Sequence, residues 1–221
     1  MTKELKAVIF DLDGVIADTA RFHYHAWKKL ASEIGINLTY EFNENLKGVG
    51  RMESLDLILV LAKNDYSNKE KIGLADKKNR YYLEFVNKMT PSDLLPGVVK
   101  CFKVLRDNNI KIVLASASKN SLDVIKRLEI KNYFDYVVSS KDILKSKPNP
   151  EIFIKAAAGI KVATKNCVGV EDSIAGILAI NACNMFSVGT GNKKNLYPAD
   201  ICIKNLTEFD IEEIYLIGGF L

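Results

Sequence analysis

Two aspartates one residue apart, Asp11 and Asp13, follow the apolar run Ala7-Val8-Ile9-Phe10 and are closed by Gly14. Three other polar groups stand at the ends of apolar runs or between them: Ser116 with Ser118, Lys147 before Pro148, and Glu171-Asp172-Ser173. This set suits phosphoryl transfer with Mg²⁺, a hard cation that takes carboxylate, carbonyl, water and phosphate oxygens. Asp11 can attack phosphorus and carry the group as an aspartyl-phosphate. A carboxylate approaching a phosphate dianion meets repulsion of roughly 4 kcal/mol per charge pair at about 4 Å and an effective dielectric of about 20. The cation and Lys147 would offset that repulsion, and Ser116 would hold a phosphate oxygen through its hydroxyl or backbone N–H. In a continuing strand Asp13 would face away from Asp11. The chain must therefore coil after Asp11, which Gly14 eases, and Asp13 can then serve as general acid/base. Each group alone has an ordinary explanation. The paired aspartates could be a polar turn, Lys147 a solvated loop charge, and Asp172 or Ser173 a helix N-cap. Their joint placement at strand ends favours chemistry.

The elements that must position them follow from periodicity. Short apolar runs at 7–10, 110–115, 136–139, 167–170, 185–188 and 201–203 read as buried parallel strands. Helical stretches at about 97–108, 120–129, 150–159 and 173–182 separate several of them. The alternation predicts an α/β fold, a doubly wound and mainly parallel sheet of Rossmann-like type, with ligands beyond the carboxyl ends of its strands. Residues 19–88 break the rhythm and read as helices only. Their apolar faces are Phe22, Ala26, Trp27, Leu30 and Ile34, then Leu55, Ile58, Leu59 and Ala62, then Ile72, Ala75, Tyr82 and Val86. Ser67-Asn68-Lys69-Glu70 has the form of a capping box opening the third helix. The block predicts an inserted all-helical cap domain over 18–89, with the core formed by 1–17 and 90–221. Connections would lie near 15–20 and 86–93, where Pro91 helps to end a helix.

Composition narrows the partners. The 221 residues carry 31 Lys+Arg against 27 Asp+Glu, an excess of +4 too thin to indicate nucleic acid or a membrane surface. No apolar run approaches the ~20 residues of a bilayer span, and the N-terminus has no secretory pattern. Cys101, Cys167, Cys183 and Cys202 lie far apart, so neither a zinc site nor a disulfide framework is indicated. A cytoplasmic protein with reduced thiols is expected.

Phe10-Asp11-Leu12-Asp13-Gly14-Val15, Ala115-Ser116, Lys147-Pro148 and Gly169-Val170-Glu171-Asp172-Ser173 resemble, in order and spacing, the four motifs of the haloacid-dehalogenase-type phosphotransferases. The resemblance covers essentially the whole chain, helical cap included. It implies Asp11 as nucleophile and Mg²⁺ ligand, Asp13 as acid/base and backbone-carbonyl ligand, and Glu171 and Asp172 as the rest of the metal site. Within the family, the cap resembles that of hexose-phosphate mutases. Thr19, His23 and Trp27 match its first helix, and Leu46-Lys47-Gly48-Val49-Gly50-Arg51 with Ser54 its specificity loop. Lys78-Asn79 matches a substrate-facing lysine, and Ser116-Ala117-Ser118-Lys119-Asn120 the core phosphate loop. Gly50 stands where serine is expected, and Met52 where a polar or acidic residue is.

By that resemblance Thr19 joins the catalytic set. His23, Trp27, Leu46, Gly48, Arg51, Ser54, Lys78, Ala117, Ser118, Lys119 and Asn120 bind substrate, with Arg51, Ser118 and Asn120 gripping the phosphate that is not being transferred. The implied function is interconversion of β-glucose 1-phosphate and glucose 6-phosphate through a bisphosphate, by a monomer whose partner is a small sugar phosphate. Two readings compete: an Mg²⁺-dependent phosphatase of a small sugar or nucleoside phosphate, and a phospho-acceptor signalling module. A switch module needs neither a lid nor Asp13.

Overall fold

A computed structural model describes residues 3–192, 194 and 196–221. Strands β1 (Ala7–Phe10), β2 (Lys111–Leu114), β3 (Tyr136–Val137), β4 (Cys167–Glu171), β5 (Phe186–Thr190) and β6 (Ile201–Ile203) form one sheet in the order β3-β2-β1-β4-β5-β6. Every pairing between them is parallel. Strand β1 is central and wholly buried, as its unbroken apolar run requires. Its side chains alternate between two cores. Val8 and Phe10 join Phe102, Leu105 and Val124 on one face, whereas Ala7 and Ile9 join Phe153, Ala156, Ile177 and Ile180 on the other. Helices α5 (Val98–Asp107), α6 (Ser121–Arg127) and α9 (Ile211–Gly218) therefore cover the first face, and α7 (Glu151–Gly159) and α8 (Ile174–Ala182) the second. Strand order reverses on either side of β1, and Phe10 is level with both Leu114 and Val170. That register brings Asp11, Ser116 and Glu171 to one sheet edge.

Between β1 and α5 the chain forms only helices: α1 (Ala20–Glu33), α2 (Tyr40–Asn43), α3 (Arg51–Leu59) and α4 (Asn68–Val86), with short 3-10 turns at 44–46 and 91–93. The two crossings run side by side, for Ala17 bridges Leu94 and the Leu95 N–H donates to the Ile16 carbonyl at 2.9 Å. Trp27, Leu30, Leu38, Leu46, Leu55, Ile58 and Ala75 build a separate apolar cluster. Phe22, Ala26, Tyr82 and Val86 instead join the core of the sheet. The capping box opens α4, with Glu70 N–H donating to Ser67 Oγ and Ser67 N–H to Glu70 Oε2.

The structure differs from the periodicity in local ways. Ile72, expected on the buried face of α4, is 56% exposed and borders a cleft beside the core loop at 140–146. Ala62 lies beyond the end of α3 but still packs against the cap cluster. Strand β5 starts one residue late because the Met185 N–H is taken by the Ile180 carbonyl at the end of α8. Among the described residues no disulfide forms, and no helix is long and apolar enough to cross a membrane.

Phe102 touches Phe10, Tyr133 and Phe134 and is fully buried. Its replacement by alanine is expected to lower stability by about 3–5 kcal/mol, read as a lower urea midpoint. A loss below about 1 kcal/mol would mean that this face is loosely packed.

Candidate active site

The sheet edge is organised by one buried cation. The Lys147 side chain has no exposure, and its Nζ donates to Asp11 Oδ1 at 2.6 Å, Glu171 Oε1 at 2.5 Å and the Ala115 carbonyl at 3.4 Å. Glu171 Oε2 accepts from the amides of Asp172 and Ser173, both at 2.9 Å, and from Ser173 Oγ at 2.8 Å. Both Glu171 oxygens are thus engaged inside the protein. In this geometry Glu171 positions Lys147 and the strand-end loop. Its neighbours divide the remaining work. Ser173 Oγ accepts from the Gly176 N–H and N-caps α8, while Asp172 faces the cleft.

Asp13 reaches the same cleft because the chain coils after β1. The amides of Ile16 and Ala17 return to the Leu12 carbonyl, and the Asp13 N–H donates to Asp11 Oδ2 at 2.9 Å. Gly14 has φ +86°, and a Cβ there would stand 2.3 Å from Asp172 Oδ2, so both the turn and the approach demand glycine. Thr19 Oγ1 donates to Asp13 Oδ1 at 2.5 Å. His23 Nε2 lies 3.5 Å from the same oxygen, an electrostatic contact too poorly aligned for a full hydrogen bond. Lys78 Nζ meets His23 Nδ1 at 2.7 Å and lies over the Trp27 ring. If Lys78 donates there, the imidazole proton sits on Nε2, towards Asp13. Thr19 and His23 therefore meet the Asp13 carboxyl directly, and Lys78 with Trp27 stands behind His23.

These contacts polarise the site. Burial would raise the Asp13 pKa, but His23, Thr19 and Lys78 outweigh it and hold the group below the ordinary carboxylate value. Burial, with the nearby Arg51, pushes Lys78 down to about 7, and burial with Lys78 lowers His23. Asp11 is pushed up to about 7, chiefly by burial, with Lys147 opposing and Glu171 and Asp13 adding. Asp172 is raised well above its usual range by burial and by Glu171, despite Lys47 at 3.6 Å. Lys147 is raised, since Asp11 and Glu171 overcome its desolvation.

Four acids share too little positive charge. A hard divalent cation fits that deficit, and Asp11, Glu171, Asp172 and the Asp13 carbonyl oxygen are the donors expected to hold it.

The cleft above this edge is lined by Asp11, Asp13, Asp172, His23, Trp27, Leu46, Gly48, Arg51, Ser54, Lys78, Ala117, Ser118 and Lys119. Thr19, Ser116, Asn120, Lys147 and Glu171 are buried behind its wall. Ser116 Oγ accepts from the Ser118 N–H at 3.1 Å and shapes the loop after β2. Arg51 and Asn120 face each other across Asn79, whose Oδ1 accepts from Arg51 and from Asn120 Nδ2, both at 2.9 Å. Sequence reasoning assigned no role to Asn79, Asn43, Lys47 or Val49. Lys47 and Val49 stand inside the quoted Gly-punctuated loop, and Asn79 follows Lys78, which were the available signals.

Two aspartates at the end of β1, a buried lysine shared by two carboxylates and an acid-rich strand edge suit phosphoryl transfer. Comparison with known proteins agrees: residues 5–184 match the model of the haloacid dehalogenase-like hydrolases, and the chain belongs to that family. It is 43% identical, over 96% of its length and 94% of the relative's, to a β-phosphoglucomutase of Bacillus subtilis. It superposes with a TM-score of 0.93 on a crystal structure of β-phosphoglucomutase from Clostridium difficile, at 45% identity and 97% coverage of both chains. A phosphorylated carbohydrates phosphatase of Thermotoga maritima is 27% identical over 82% of each chain.

The raised carboxyls give a test. Titration with MgCl₂ is expected to show affinity falling as pH drops from about 8 to about 6, with protons released on binding, because the cation must displace protons from Asp11 and Asp172. Constant affinity without proton release would show that both are already ionised.

Proposed function

We propose that the chain is an Mg²⁺-dependent mutase that interconverts β-D-glucose 1-phosphate and D-glucose 6-phosphate. The observation that carries this reading is a single cleft with two separate sets of polar groups on or directly behind its wall. One set, Asp11 with Lys147 and Ser116, suits the phosphoryl group in transfer. The other, Arg51 with Ser118, Lys119 and Asn120, suits a phosphate that does not react. A mutase must hold a bisphosphate by both ends, whereas a phosphatase needs only the first set. The identity to β-phosphoglucomutases over nearly the whole chain supports the same choice.

In this account Asp11 carries the phosphoryl group. The 6-hydroxyl of β-glucose 1-phosphate gives its proton to Asp13, which Thr19 and His23 hold ionised, and its oxygen attacks the phosphorus. The Asp11–phosphorus bond breaks, leaving β-glucose 1,6-bisphosphate. After the bisphosphate turns round, Asp11 attacks the phosphorus at the other end. Asp13 returns the proton to the departing sugar oxygen, and glucose 6-phosphate leaves. Lys147 holds charge beside Asp11 throughout. Mg²⁺ held by Asp11, Glu171, Asp172 and the Asp13 carbonyl would neutralise charge on the transferring group. Residues 18–89 act as the cap that excludes water from the phosphoenzyme, and residues 1–17 and 90–221 as the catalytic core. One chain supplies every group named, so we take the enzyme to work as a cytoplasmic monomer.

The relatives include phosphatases, and one assay separates the readings. Incubation with β-glucose 1-phosphate, MgCl₂ and a trace of glucose 1,6-bisphosphate is expected to yield glucose 6-phosphate; free phosphate as main product would favour the phosphatase. Arg51→Ala is expected to slow mutase turnover roughly 10- to 150-fold, the effect of losing about 1.5–3 kcal/mol of charge-assisted contact. Hydrolysis of acetyl phosphate, which has no second phosphate, should change little. Equal losses would remove Arg51 from the second phosphate site.

A further inference from the structure

Helix α3 opens in an unusual way, and Arg51 is its first residue. Its N-cap, Gly50, has no side chain, so the helix lacks a hydroxyl or carboxylate of its own at that position. The missing group comes from the core. Ser146 Oγ accepts from the Gly50 N–H at 3.1 Å and donates to Glu53 Oε1 at 2.9 Å. Glu53 is the third residue of α3, where a capping-box glutamate would normally turn back and accept from the N-cap amide directly. A hydroxyl from the loop that carries Lys147 has thus been inserted into the capping box of a cap helix.

Glycine is required for this arrangement by space. A Cβ on Gly50 would lie 2.4 Å from Ser146 Oγ and 2.5 Å from Glu53 Oε2, although the backbone there is ordinarily extended. The inserted hydroxyl is satisfied on both sides, with Gly50 as donor and Glu53 as acceptor. Withdrawal of Ser146 would leave the helix start with a partner, because Glu53 can close directly on the Gly50 N–H. The contact joins a helix outside the sheet to a core loop through an exposed carboxylate and a half-buried hydroxyl.

We propose that Ser146 and Glu53 are positioning residues: together they fix the start of α3, and with it Arg51, over the core when the cap closes. This rests on the reading of Arg51 as the ligand of the non-reacting phosphate. Neither side chain touches the reacting atoms, and both act through the helix that presents Arg51.

The test compares the wild-type enzyme with Ser146→Ala, Glu53→Ala, Glu53→Gln and the double alanine variant. Conversion of β-glucose 1-phosphate is followed at saturating glucose 1,6-bisphosphate with MgCl₂. Ser146→Ala is expected to lower kcat/KM about ten-fold, and Glu53→Ala by less because Ser146 still accepts from the Gly50 N–H. The double variant should lose no more than Ser146→Ala, since the link to the core is already gone. Glu53→Gln keeps an acceptor oxygen and should stay within about two-fold of wild type. Acetyl phosphate hydrolysis should be unchanged in all four variants. Additive losses, no loss, or equal loss with acetyl phosphate would each overturn the assignment. Amide exchange at Gly50 reads the contact without any substrate. It should be at least about ten-fold faster in the double variant than in Glu53→Ala, where Ser146 still accepts. Equal rates would overturn the latch, whereas a wild-type enzyme that makes no glucose 6-phosphate would overturn only the functional reading.

Discussion

A lysine ammonium wholly removed from water, shared between two carboxylates, is the constraint on which this molecule depends. Desolvating Lys147 is tolerable only because Asp11 and Glu171 stand within hydrogen-bond distance of its Nζ. Those three residues come from three distant parts of the chain. The parallel register of β1 and β4 sets Asp11 beside Glu171, and the loop before α7 brings Lys147 to both. The sheet must form correctly for the charge to be satisfied. Glu171 is fixed in turn by two amides and the Ser173 hydroxyl, which leaves it little freedom to move. Chemistry and folding thus meet in one ion cluster. The same lysine keeps a buried Asp11 from rising further and provides the positive charge that a phosphate needs.

The second half of the site belongs to the helices. Asp13 comes from the core, but His23 and Lys78, which hold it ionised, lie on α1 and α4. Arg51 lies on α3 and meets the core residue Asn120 through Asn79. With Asp13 as the acid/base and Arg51 as the second phosphate ligand, as proposed, both roles depend on these helices lying over the sheet. This division of labour suits a reaction in which the intermediate must be released, turned and gripped again.

Much of this was legible in the sequence because strand ends are easy to read in a parallel sheet. An unbroken β-branched run followed by acids, hydroxyls or small residues marks the catalytic edge, and the six strands fall close to their expected places. Other features were hidden for physical reasons. Glu171 and Asp172 offer the same hard oxygens, and only the fold shows that one turns inward to Lys147 while the other faces the cleft. Tyr82 reads as an apolar core position, yet its ring centroid lies 4.1 Å from that of His23. Asn79 looks like any polar residue on a helix until Asn120 approaches from another part of the chain. Helical periodicity likewise cannot tell where α4 loses its packing partners, and Ile72 is exposed for that reason. Periodicity reports the face of an element; long-range contacts decide which members of that face are used.

Lys147 holds the Asp11 carboxyl down against a larger upward push from burial. The most direct measurement follows the Asp11 carboxyl carbon by NMR across pH, without metal, in the native protein and in Lys147→Ala. Asp11 should titrate near about 7 in the native protein. Without the lysine its pKa should move upward, because burial and the Glu171 charge then act unopposed. A pKa that stays the same or falls when Lys147 is removed would contradict the account.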